Sequence, residues 1–158
     1  MRRFNWQCLL LVLWPYAGVV LLELLRQTAS WTFAPVLAWM AGMLIICVTN
    51  IVHALRMKDG AVLPGMFAKL ALIPYYAITF AYGTLLFAAP PAVILLFMLN
   101  ALLLLATSAY TLRGAYLGWR AGFLSTLWAV ILAVSQCIFV LDVPGSVILY
   151  ICEKRRSR

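Results

Sequence analysis

Five stretches of this chain are predominantly apolar and almost free of charged side chains: Asn5–Leu25, Phe33–Leu55, Met66–Ala89, Ala92–Leu112 and Phe123–Ile151. Each is about 20 residues or longer, the length a helix needs to cross the hydrocarbon core of a bilayer. Short connections separate them and a basic tail follows. Within lipid, every backbone N–H and C=O must find a partner inside the protein, so runs of this kind span as α-helices. The pattern predicts an all-α, polytopic membrane helix bundle with five transmembrane helices, forming one membrane domain over residues 1–158.

Composition agrees. Apolar residues make up 66% of the chain and charged residues 10%, with a mean hydropathy of +1.04. Too little polar surface is left to cover a water-soluble core. The net charge of +8 would point to nucleic acid in a soluble protein. Here the cations sit at the ends of the spans, where anionic headgroups and the positive-inside bias explain them, so the expected partner is the lipid bilayer and not nucleic acid.

The cations also set the orientation. The second connection carries Arg56 and Lys58, with Lys69 just beyond it, and the fourth carries Arg113 and Arg120. Arg26 stands alone in the first connection, and Ala88-Ala89-Pro90-Pro91 has no charge. Together with Arg2 and Arg3, this places the N-terminus and the second and fourth connections in the cytoplasm of a bacterial inner membrane. The apolar run after Arg3 is too long for a cleaved secretory signal, and no small-residue cleavage pattern precedes Trp31, so it reads as a retained anchor.

The C-terminal end is harder to place. Five crossings put Lys154-Arg155-Arg156-Ser157-Arg158 outside, against the charge rule, and Asp142-Val143-Pro144-Gly145 should kink or interrupt the last helix. Folding back there leaves only Ser146–Ile151 for the return, too short to cross. Two solutions remain: a kinked fifth span with an external tail, as the count of five takes it, or a part of Phe123–Val134 that lies along the surface, with the true span shifted.

Polar residues inside the spans need a reason, since an Asp at a helix centre costs about 2.5–3.5 kcal/mol on insertion scales. Glu23, Asn100 and Asp142 all fall in the outer half of the predicted bundle and form a candidate polar pocket for a proton, a cation or a cationic ligand. The competing reading is structural. Glu23 and Arg26 are spaced for an ion pair on one helix face, and Asp142 pairs with Arg26 or caps the turn at Val143-Pro144. Asn100 then bonds to a neighbouring helix. Asn50 and His53, beside Arg56, are candidate structural partners at the cytoplasmic end, and Ser135 and Gln136 read as inter-helix contacts.

Other chemistry is thin. His53 is the single histidine, too few for a metal or haem site. Cys8, Cys47, Cys137 and Cys152 form no C-x-x-C pair and read as small apolar fillers. Gly114, Gly118 and Gly122 recur every fourth residue, but Arg113, Trp119 and Arg120 interrupt them, which reads as a cytoplasmic surface turn. Catalytic motifs are missing, so neither an enzyme nor a cofactor is expected.

Three clusters carry a family resemblance. They are Lys69-Leu70-x-x-Ile73-Pro74-x-Tyr76 running on to Phe80 and Gly83, then Ser108-x-Tyr110-x-x-x-Gly114, then Phe139-x-Leu141-Asp142-Val143. The stretch from Asn50 to Tyr150 resembles a family of small uncharacterised integral membrane proteins of Gram-positive, Firmicutes-type bacteria. The resemblance implies a shared membrane fold and no particular activity. In that family the position of Leu72 is often histidine and that of Asn100 often aspartate; this chain lacks both ionisable groups, and its Pro144-Gly145 is unusual.

The resulting expectation is a non-enzymatic accessory or regulatory membrane component, acting through contacts with a membrane protein partner or a second copy. The alternative is a small transporter or ion-coupled carrier using Asp142, Glu23 and Asn100. An intramembrane enzyme ranks third.

Overall fold

A helix satisfies its own backbone, and these apolar runs fold accordingly. The computed structural model describes residues 6–28, 33–58, 60–85, 90–136 and 142–156. They form α1 (Trp6–Thr28), α2 (Phe33–Arg56), α3 (Val62–Leu85), α4 (Pro90–Arg120), α5 (Thr126–Ser135) and α6 (Asp142–Arg156). Among the described residues, α1 to α4 are long and apolar enough to cross a membrane. The all-α bundle holds; the count of five spans does not.

The long helices run alternately up and down, and side-chain contacts fix their levels. Cys8 Sγ donates to the Pro64 carbonyl at 3.2 Å, and Tyr16 OH to the Ala71 carbonyl at 2.7 Å, so α1 and α3 run side by side in the same direction. Tyr110 OH donates to Asn50 Oδ1 at 2.7 Å, and Arg113 Nε to the Met57 carbonyl at 2.9 Å, which aligns the ends of α2 and α4. Between α1 and α2 two tryptophans exchange bonds: Trp14 Nε1 donates to the Trp39 carbonyl at 3.1 Å, and Trp39 Nε1 to the Trp14 carbonyl at 3.0 Å. Gly18 and Gly42 leave room for the two indoles. The shared core between these four helices contains Leu11, Met43, Cys47, Leu72, Tyr75, Leu103 and Tyr110.

Outside this core the helices expose apolar side chains along their lengths, among them Leu37, Leu44, Ile45 and Leu55 on α2, Phe80 on α3 and Phe97 on α4. Only hydrocarbon or another apolar surface suits such faces. Proline is accommodated as helix geometry allows. Pro90 opens α4 and Pro64 sits in the first turn of α3, where a missing N–H is harmless, while Pro15 and Pro74 lie inside their helices.

Three boundaries differ from the sequence reading. α3 begins at Val62 rather than Met66, because Val62-Leu63-Pro64-Gly65 is apolar and Pro64 fits a first turn. α4 continues to Arg120 rather than ending at Leu112. Gly114 and Gly118 are therefore helical, not a surface turn, and both are buried; a Cβ on Gly114 would meet Val62 and Leu149, and one on Gly118 would meet Leu124 and Phe123. The turn comes afterwards, where Gly122 takes φ +75°.

The third difference is the largest. Phe123–Ile151 is not one span but two shorter helices. Ser125 caps α5 by accepting from the Trp128 N–H. The 10 residues of α5 rise about 15 Å from the end of α4. α6 then returns: Asp142 lies beside Ser108, Ser146 beside Thr111, and Leu149 packs with Val62 and Ala115. It runs parallel to α4 and antiparallel to α3, and it finishes at the end of the bundle where α2 stops and α3 starts. Residues 137–141, including Cys137, lie outside the described residues.

Candidate functional site

The end of α5 and the start of α6 meet partway along the bundle, and the last carbonyls of α5 take local donors, Ala133 and Val134 from the Gln136 N–H and Leu132 from Ser135 Oγ. The buried polar residues collect there. Lys69, on α3, donates to Gln136 Oε1, to Asp142 Oδ1 and, at 3.0 Å, to Ser146 Oγ. An ammonium has three donors, and all three are used. Ser108, on α4, donates to the Gln136 carbonyl at 3.4 Å and lies 3.5 Å from Asp142 Oδ1. Ser146 Oγ donates back to the Asp142 carbonyl at 2.7 Å and sits 3.4 Å from Thr111 Oγ. Lys69, Ser108, Thr111, Gln136, Asp142 and Ser146 are all buried.

The charges are placed where the helix ends favour them. Asp142 is the first residue of α6, at the positive end of its dipole, and Lys69 reaches the negative end of α5. Gly145 lets the two helices approach, since a Cβ there would come 2.5 Å from Ser135 Oγ and 2.9 Å from Gln136 Nε2. The cluster is a neutralised, hydrogen-bonded latch that closes the hairpin onto α3 and α4.

The residues singled out from the sequence do not all meet here. Asp142 sits at the level of Lys69, not toward the outer end of a fifth span. Asn100 lies eight residues before Ser108 on α4, about 12 Å away along the axis, and its Nδ2 donates to Thr79 Oγ1 at 3.2 Å. Glu23 stands on α1 seven residues beyond Tyr16, a further rise of about 10 Å past the level of Ala71. Glu23 and Asn100 therefore belong to the upper part of the bundle and Asp142 to the lower. Asp142 takes Lys69 as its partner, and the side chain of Arg26 lies outside the described residues. Asn50 is buried against Tyr110, and the His53 ring lies 6.4 Å from the Tyr110 ring, so both sit at an α2–α4 contact. Cys8 and Cys47 are buried among apolar side chains, as fillers are. No group of three or more His, Cys, Asp or Glu among the described residues is arranged to hold a metal.

Lys69 is the residue the sequence reading misplaced. Starting the third span at Met66 puts Lys69 at its edge, where a lysine needs no explanation. Starting it at Val62 puts Lys69 two turns inside, where it needs a buried counter-charge, and Asp142 is one of only two acids in the predicted spans.

No curated protein and no solved structure matches the chain. One family profile does, over residues 6–156, and it covers both the four long helices and the hairpin. By that match the chain belongs to the family of unknown function DUF6652.

Proposed function

We propose that this is a multi-pass protein of a bacterial cytoplasmic membrane, with four spanning helices and a re-entrant hairpin, acting as a non-enzymatic accessory or regulatory component. The observation that carries the reading is the latch. Every donor of Lys69 is used in holding α5 and α6 to the bundle, so the most polar site of the membrane interior is occupied by its own structure. The outward faces are apolar, and what they offer another molecule is helix–helix contact.

The hairpin also removes the conflict over the tail. The last turns of α6 lie at the end of the bundle that carries Arg56, Lys58, Arg113 and Arg120, so Lys154 and Arg155 join the other cations. An even number of crossings puts both termini in the cytoplasm, as the positive-inside rule requires. Reporter domains fused after Arg158 are expected to be active in a cytoplasmic form, such as a fluorescent protein, and inactive in a form that needs export. The opposite pattern would restore the fifth crossing and sink the hairpin topology.

The accessory role is tested by purification of the tagged protein from its native membrane in mild detergent. A second membrane protein in fixed stoichiometry, or a second copy of this chain, is expected. Recovery as a lone monomer would overturn that role.

The ion-coupled carrier is the second reading, because a buried ion pair at membrane depth is a common feature of ion pathways. It would have to run through Asp142 and Lys69. Glu23 and Asn100 lie too far up the bundle to share one binding step with Asp142.

A further inference from the structure

A second charged site lies at the basic end of the bundle. A cavity of about 700 Å³ opens between the start of α3, the end of α4 and α6, and its lining includes Lys58, Arg113, Arg120 and Glu153. That volume is within the usual range of small-ligand pockets. Arg113 is held in place: its Nε donates to the Met57 carbonyl at 2.9 Å, and its guanidinium lies 5.4 Å from the Tyr116 ring centroid. Its terminal nitrogens make no hydrogen bond to the described residues. Glu153 is the unusual member. Its Oε2 is buried with no hydrogen-bond partner among the described residues, and no ion pair joins it to the three cations around the same cavity.

A simple anion site has no use for a carboxylate, and a simple cation site has no use for two arginines and a lysine. A ligand carrying both signs uses all four. A phosphate is matched by Arg113, Arg120 and Lys58, for which a guanidinium fork is well shaped. A primary ammonium supplies the donors that the buried Glu153 oxygen lacks. The depth also fits a headgroup, because Tyr116 and Trp119 expose their rings beside the cavity, as aromatic residues do at a membrane–water boundary. We propose that this cavity binds an amine-bearing phosphate ester, the chemistry of a phosphoethanolamine head, with the phosphate on the cations and the amine on Glu153.

The assignment of the headgroup level rests on the membrane reading above; the charge pattern does not. The test is thermal unfolding of the purified protein in mild detergent, with separate additions of phosphatidylethanolamine, phosphatidylglycerol, phosphatidylcholine, soluble O-phosphoethanolamine and inorganic phosphate. Phosphatidylethanolamine is expected to raise the midpoint more than phosphatidylglycerol or phosphatidylcholine. Glu153→Gln, nearly isosteric, should erase its advantage over phosphatidylglycerol. Arg120→Ala, at an exposed position, should weaken the response to both lipids about fivefold in half-saturating concentration. O-phosphoethanolamine matching the lipid would identify a soluble source for the same chemistry; failure of the soluble compound beside success of the lipid would identify a membrane one.

Equal effects of the three lipids with no response to O-phosphoethanolamine, an unchanged preference in Glu153→Gln, or inorganic phosphate acting as strongly as any amine-bearing compound would overturn the proposal. Such a failure leaves the membrane reading standing as long as the protein still needs detergent. If it stays folded and dispersed in plain buffer, the membrane reading fails instead, and the soluble compounds still decide the pocket.

Discussion

Lys69→Met is expected to destabilise the protein by about 3–5 kcal/mol, and the double variant Lys69→Met/Asp142→Leu to recover most of that loss. The single change removes a cation from a site whose polar side chains are all buried. Asp142 Oδ1 keeps only a long contact to Ser108, while Gln136 Oε1 and Ser146 Oγ each lose a donor. Most of the cost is the uncompensated carboxylate. Removing both charges leaves two apolar side chains of similar bulk at the hairpin tip, and buried ion pairs are often replaced that way with little net change. Asp142→Asn falls between the two, because an amide oxygen still accepts from Lys69 but brings no counter-charge. Reversible unfolding in mixed detergent gives the energies. Hydrogen exchange locates them: Lys69→Met should speed exchange in α6 while α1 and α2 keep their protection. A single-variant loss of less than about 1 kcal/mol, or a double variant no better than the single, would mean that the latch does not hold the hairpin.

Much of this fold is legible in the amino-acid sequence, and the parts that are not have physical reasons. α1 and α2 coincide closely with their apolar runs, because a long helix in hydrocarbon has no competing structure. The hairpin is hidden by the same property. Thr126–Ser135 is as apolar as a span, and hydropathy along a chain does not record a change of direction. Its clues are local: Asp142-Val143-Pro144-Gly145 marks the break, and a basic tail on the wrong side of five crossings marks the error in the count. Six residues after Asp142 cannot cross a membrane, yet α6 has only to return from partway along the bundle, and it includes the basic turn beyond Ile151.

The site divides in the same way. Asp142 stands out in the sequence because an acid in an apolar run is costly, and the polar partners Ser135 and Gln136 are visible as inter-helix contacts. Lys69 escapes because a boundary drawn at Met66 makes it a flanking cation, a shift of one helical turn that reverses its meaning. The segments that carry the family resemblance nonetheless include Lys69, Ser108 and Asp142, from three separate helices, and the fold brings those three into one cluster. What no sequence pattern reveals is that Glu23 and Asn100 sit well above that cluster, because the depth of Asp142 depends on where the chain turns back.

The second large effect is expected at the α1–α2 contact, where the same substitution should have opposite signs at two glycines. Gly18→Ala should destabilise by about 2–4 kcal/mol, and Gly83→Ala should be neutral or stabilise by up to about 1 kcal/mol. Helix propensity favours alanine at both positions by the same amount, so any difference comes from the surroundings. A Cβ on Gly18 runs into the indole of Trp39, whereas the nearest atom to a Cβ on Gly83 is Leu96 Cδ2 at 3.8 Å, an ordinary contact. Displacing Trp39 breaks its bond to the Trp14 carbonyl and disturbs the reciprocal bond from Trp14, so the collision is felt by both tryptophans. Each indole N–H that loses its carbonyl partner adds to the steric cost. Gly42→Ala should behave like Gly18→Ala, since its Cβ meets the Trp14 ring. Trp39→Ala combined with Gly18→Ala should recover part of the steric term but not the lost indole packing, and so lie below wild type. Unfolding energies in detergent for this series test the contact directly. If Gly18→Ala and Gly83→Ala had the same sign, the interlocked tryptophans would not be what joins the first two helices.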